Sequence, residues 1–220
     1  MKGLLQKDME LLRGNLKVFA GIYLIAVFLL ITSGKDNAEF FVSYVTMISG
    51  ILVLNTISYD DMDKGMMFIF TLPVTRNEYV KEKYVFGILA GMGGWIMALV
   101  LGTLWNISQN RTISMGEWLI ACFPGVLIIV FILTVLIPLQ LKFGSENSRL
   151  VMIIAMAGCA GVVAVIVAVI KKLGVDTAGM IAKINAMSLP VLGLIVALIC
   201  VACLVVSAGI STRIIYKKEF

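Results

Sequence analysis

The chain has 220 residues, of which 60% are hydrophobic and only 14% charged, with a formal net charge of +5 and no histidine. A mean hydropathy of +1.03 lies far outside the range of soluble globular domains, so this is an integral membrane protein. Without histidine, the intramembrane zinc proteases lose their metal ligands and the histidine-dependent lipid phosphatases their nucleophile.

Residues 1–17 place Leu5, Met9, Leu12 and Leu16 on one helical face, with Lys2, Gln6, Lys7, Glu10 and Arg13 largely elsewhere. This pattern predicts an amphipathic helix, either one that lies in the headgroup layer as an anchor or one that also contacts a cytoplasmic partner. The long charged stretch and the lack of an A-x-A site argue against a cleaved signal peptide. Apolar runs follow at 18–33, 40–58, 84–105, 118–141, 150–170 and 189–210. Each approaches the ~20 residues that cross ~30 Å of hydrocarbon. The runs are continuous rather than alternating, which predicts an all-α protein of six transmembrane helices and disfavours a barrel. The brief 34–39 connection makes the first two spans a tight hairpin.

Every acidic and basic residue falls outside these runs, as expected when a charge at the bilayer centre costs at least ~2.5 kcal/mol. No ionisable group for a proton relay, voltage sensor or ion-coupled carrier is therefore expected at membrane depth. Polar residues within the second run, Thr46, Ser49, Asn55 and Thr56, either face a pathway or hydrogen-bond a neighbouring helix. In the third run, Gly87 and Gly91 have the G-x-x-x-G spacing of close helix packing, while Gly91, Gly93 and Gly94 fail the nucleotide-binding pattern. Cys122, Cys159, Cys200 and Cys203 all lie in apolar runs and read as buried small hydrophobes rather than disulfide partners or metal ligands.

Residues 59–83 interrupt the spans with a dense polar segment. A short helix is predicted from Asp60 to Leu72, its start at Asp60, Asp61 and Asp63 suited to the positive end of the helix dipole. Pro73 stops it, because the residue before a proline is pushed out of helical geometry. Thr75 with Glu78 forms a T-x-x-E capping box that opens a second helix through Lys81 and Lys83 into the third span. Between the charges, Met66, Met67, Phe68, Ile69 and Phe70 offer an apolar surface that needs lipid or a protein groove. A calcium loop is excluded, since Gly65 is fifth and Leu72 twelfth counted from Asp61. Lys142, Gly144, Ser145 and Arg149 mark the next polar loop, in which Ser145 is a good N-cap for the fifth span.

With the N-terminus inside, thirteen Lys and Arg residues fall on the cytoplasmic side and five opposite. Both termini and the second and fourth loops are therefore expected to be cytoplasmic. No G-x-x-x-x-G-K-[ST] occurs, so the chain holds no P-loop of its own.

The run Asp60, Asp61, Gly65, Leu72-Pro73-Val74-Thr75-Arg76, Tyr79-Val80 and Lys83 resembles the cytoplasmic-loop pattern of the ABC-2 type transporter permeases. The layout resembles in particular the small six-span group that includes the phenol-soluble modulin exporters. The resemblance implies that this loop is a coupling helix between spans 2 and 3, docking on a separate ABC ATPase subunit that holds ATP and Mg. It would place ATPase coupling on Asp60, Asp61, Asp63, Gly65, Met66, Phe70, Leu72, Pro73, Thr75, Arg76, Glu78 and Lys83. A smaller second contact would fall on Lys142, Gly144, Ser145 and Arg149. It further implies a dimer, with a second copy or a related permease, and export of cargo such as amphipathic peptides; no cofactor, metal or catalytic residue is expected in this chain. Two other readings use the same helices: a stand-alone channel or facilitator, and a membrane anchor or assembly factor for a cytoplasmic enzyme.

Overall fold

A computed structural model describes residues 2–14, 16–32, 38–62, 65–111, 114–144, 153–154, 157–158, 161 and 189–218. All its described regular elements are helical. In chain order they are α1 (Lys2–Gly14), α2 (Leu16–Thr32), α3 (Ala38–Asp61), α4 (Gly65–Thr71), α5 (Arg76–Ser108), α6 (Met115–Cys122), α7 (Pro124–Phe131), a π-helical turn (Ile132–Leu136), α8 (Ile137–Phe143) and α9 (Leu189–Lys217).

Four stretches are long and apolar enough to cross a membrane: Ala38–Asp61, Arg76–Ser108, Met115–Phe143 and Val191–Lys217. They match the second, third, fourth and sixth predicted spans. The first corresponds to a shorter apolar helix, Ala20–Thr32. The fifth, at 150–170, lies outside the described residues apart from isolated helical positions.

α5 is the spine. Its glycines let neighbours approach closely: a Cβ on Gly91 would lie 2.9 Å from Ile129 of α7, and one on Gly102 would lie 2.8 Å from Trp118 of α6. Gly87 and Gly94 would clash in the same way, with Leu133 and with Ser49 of α3. The G-x-x-x-G pair thus packs within the chain, and dispersion between close backbones replaces the hydrophobic drive that lipid removes. Two apolar clusters result. One gathers Val53, Ile57, Tyr79, Phe86, Leu133, Ile137 and Ile215 with Met66 and Ile69 of α4. The other joins α2, α3, α5 and α6 through Ala26, Leu30, Val42, Ala98, Trp118 and Cys122. Outward-facing Leu194, Leu198, Val205 and Val206 of α9 are well exposed, as suits a lipid-facing surface. Cys122 is buried as expected, whereas Cys203 is exposed; Cys159 lies outside the described residues.

The fourth predicted span is not a uniform helix. It breaks at Phe123, restarts with Pro124 at the head of α7, and carries the π turn before α8. Pro138 has no N–H to give the Thr134 carbonyl, and Ser207 Oγ of α9 donates to that carbonyl instead, at 2.8 Å. Because the Ser207 proton is used there, the Tyr84 hydroxyl of α5 donates to Ser207 Oγ at 2.6 Å. A backbone defect in one helix is thereby repaired from a second and tied to a third.

The polar residues of the second span mostly satisfy themselves and their neighbours. Thr46 donates to Val42 O, Ser49 to Val45 O, and Thr56 to Val53 O. Ser49 also meets the Tyr23 hydroxyl of α2 at 2.6 Å, while Asn55 is exposed.

Candidate functional site

The polar segment after α3 differs from its predicted form at the start and matches it at the end. Asp60 and Asp61 do not open a new helix; they are the last residues of α3. Extending an existing helix avoids the cost of a new nucleus, and the unfavourable placement of acids at a helix C-terminus is offset by Lys7, Lys83 and Lys218. The separate short helix is α4, seven residues long. Gly65 permits its return toward α3, since a Cβ there would stand 2.8 Å from the Asp60 carbonyl oxygen. α4 ends at Thr71, just ahead of Leu72 and Pro73. Thr75 then caps α5 as predicted: Glu78 N–H donates to Thr75 Oγ1 at 3.2 Å, and Thr75 N–H donates to the Glu78 carboxylate at 3.0 Å. Those bonds hold the exposed Glu78 carboxyl below its ordinary range, first through the Thr75 backbone and then through its hydroxyl.

α4 is two-sided. Met66 and Ile69 are buried, whereas Met67, Phe68 and Leu72 are 43%, 68% and 46% exposed. The outward ridge is therefore Met67, Phe68 and Leu72, bordered by exposed Thr71 and Pro73. Met66 faces the core, and Phe70 lies edge-on to Tyr79.

Both ends of the chain meet the two helices that flank α4. From the C-terminal side, Arg76 donates to the carbonyls of Ile215 and Tyr216 at 3.0 and 2.9 Å, with its guanidinium over the rings of Phe70 and Tyr216. Lys218 pairs with Asp61 at 3.0 Å. The next loop joins at the same place: Gly144 has φ 76°, and a Cβ on it would stand 2.7 Å from Asp61 Oδ2. Gln140 donates to Ser58 Oγ at 2.9 Å. Lys142 is exposed, while Asp63, Ser145 and Arg149 lie outside the described residues.

From the N-terminal side, α1 contributes charge. Lys83 is fully buried and pairs with Asp8 at 2.5 Å and Asp60 at 2.8 Å. It also donates to Thr56 Oγ1 at 3.2 Å. Lys7 pairs with Asp60 as well, and the Tyr79 hydroxyl donates to Asp60 Oδ2 at 3.0 Å. The apolar stretch of α5 begins at Tyr84, so residues 76–83 form a charged extension ahead of it. In that extension, burial works against the Lys83 charge, but Asp60, Asp8 and Glu82 outweigh it and raise the pKa of the ammonium. Burial and the neighbouring Asp60 keep Tyr79 protonated. Burial pushes the Glu82 carboxyl up to about 7, with Lys83 opposing and Asp8 adding to the rise.

The structure thus divides the predicted coupling residues by role. Asp60 and Lys83 are occupied inside the protein, Asp61 and Arg76 bind the end of α9, and Leu72 and Pro73 remain outward. The predicted apolar face of α1 also differs: Leu4 and Asp8 are buried, whereas Met9 is 46% exposed. Lys7, Asp8, Glu82 and Lys218 went unnoticed as site residues, because no spacing along the chain signals a partner on another helix.

No curated protein and no solved structure matches the chain. Residues 3–216, nearly its whole length, match the family described as ABC-2 family transporter protein. The chain therefore belongs to the ABC-2 transporter family, as a membrane permease component of an ABC transporter.

Proposed function

We propose that this chain is the transmembrane subunit of an ATP-driven exporter, in which a separate ABC ATPase subunit grips α4. The observation that carries the reading is the ridge of Met67, Phe68 and Leu72, raised on a short helix that packs on α3 and, through Phe70, on Tyr79 and Arg76 of α5. An apolar ridge suits a groove, and an element clamped at both flanks passes a displacement to the spans instead of absorbing it. In this reading six helices cross the membrane, with 150–170 as the fifth. Both termini and α4 face the cytoplasm, consistent with the Lys and Arg bias, and the loop around Lys142 and Gly144 makes the second contact. Two permease copies, identical or related, enclose the cargo path. Export of amphipathic cargo rests on the sequence resemblance alone.

The test is co-purification of the full-length chain with P-loop ATPases from its source cell, starting with any that an adjacent reading frame encodes. Phe68→Glu combined with Leu72→Glu is expected to abolish association while leaving the permease folded and monodisperse. Retained association in that double variant overturns α4 as the docking element.

A further inference from the structure

We propose that Glu82 is a proton-binding site that governs the seating of α1: its carboxyl carries a proton while α1 is docked, and loss of that proton releases α1 from α5. The inference is independent of whether an ATPase docks on α4.

The charge inventory of the site leads there. The groups that face Glu82 are Lys7 and Asp8 from α1 and Tyr79 and Lys83 from its own helix, with Asp60 of α3 joined to them through both lysines and Tyr79. The two lysines are matched by Asp8 and Asp60, each lysine pairing with both. Tyr79 is neutral and spends its proton on Asp60. Glu82 is thus the fifth charge of the cluster and its one unmatched anion. It is 1% exposed, and neither of its carboxylate oxygens has a hydrogen-bond partner. Its nearest cation, Lys83, stands 3.7 Å away and is already engaged twice. A carboxylate with no hydrogen bond and only a share of an already paired cation is not kept in such a site, because the ion loses its hydration without a compensating bond; taking a proton removes the charge and makes the cluster neutral.

The elevated value of about 7 places this event in the physiological range. A solvated glutamate titrates near ~4.3, so the docked arrangement binds the proton more tightly than an open one does. Docking is favoured at acid pH and weakens as pH rises from about 4.5 towards about 7, by up to about tenfold per pH unit in the ratio of docked to released α1; above that range it is constant. On release, the carboxyl O–H bond breaks and the proton passes to water entering between α1 and α5.

The test uses the full-length chain in lipid nanodiscs, with its four cysteines replaced by serine and spin labels on Gln6→Cys and Lys81→Cys, both exposed positions. Pulsed electron resonance distances are recorded from about pH 5.5 to about pH 8.5. A longer-distance population should grow as pH rises towards about 7 and level off above it, and E82Q, which keeps shape without ionising, should hold the short distance throughout. Infrared difference spectra should show a protonated-carboxyl band at acid pH that E82Q lacks. A distance distribution insensitive to pH, an identical pH response in E82Q, or the absence of that band overturns the proposal.

Discussion

Lys83 and Asp8 meet at 2.5 Å with both side chains fully buried, although 75 residues separate them in the chain. The pair joins α1 to the root of α5. Removing one partner from a buried ion pair leaves an uncompensated charge, which costs about 3–5 kcal/mol. Lys83→Met leaves Asp8 and Asp60 to share the partly exposed Lys7 alone and should lower the thermal unfolding midpoint in detergent sharply. Adding Asp8→Asn to it should recover part of the loss. An unchanged midpoint in Lys83→Met would show that the pair contributes nothing to the fold.

At the start of α5, Thr75 and Glu78 exchange capping bonds, and the Glu78 carboxyl titrates below its ordinary 4.5 as a result. A carboxylate with a depressed folded-state pKa stabilises above its unfolded pKa and loses that contribution as pH falls through the folded value. Protection of the first-turn amides of α5, taken relative to the intrinsic exchange rate at each pH, should therefore fall below about pH 4.5. Glu78→Gln, which caps without ionising, should flatten that pH response. Thr75→Ala should lower that protection at every pH, and equal protection in Thr75→Ala and the parent chain would show that the capping box does not hold the first turn.

What was legible in the sequence was what depends on local pattern. Hydropathy located the spans at α3, α5, Met115–Phe143 and α9, and the Pro73 stop with the Thr75 restart follows from the conformational limits of three or four residues. The charge cluster was hidden because its order is tertiary. Asp8 sits beside the leucines of an amphipathic pattern and reads as solvated, yet it is buried because Lys83 is waiting opposite. The same blindness put Asp60 at the head of a helix when it closes one. The π turn had a visible cue in Pro138, but the hydroxyl that repairs it lies 73 residues on.

That repair yields a cycle of predictions. Ser207→Ala leaves the Thr134 carbonyl without its donor at 2.8 Å and unties Tyr84 from that side. Interhelical hydrogen bonds in membranes average about 0.6 kcal/mol by double-mutant analysis, so a loss of about 1 kcal/mol is expected, measured by steric trapping or by denaturation in mixed micelles. Pro138→Ala restores a backbone N–H four residues after Thr134 and lets the helix satisfy itself. Ser207→Ala on that background should cost less. Strict additivity of the two changes would mean that serine and proline act independently.

Gly65 and Phe68 separate folding from docking. A Cβ at Gly65 would stand 2.8 Å from the Asp60 carbonyl oxygen, a backbone atom that cannot retreat without moving the end of α3. Gly65→Ala should cost about 1–3 kcal/mol as an overpacked contact and tilt the α4 ridge, so stability and partner association should fall together. Phe68 is 68% exposed, so Phe68→Glu should stay within about 0.5 kcal/mol of the parent and lose association alone. Thermal unfolding and ATPase co-purification on the same two preparations distinguish the cases. If Gly65→Ala binds the ATPase normally despite lower stability, the position of α4 is not what the partner reads.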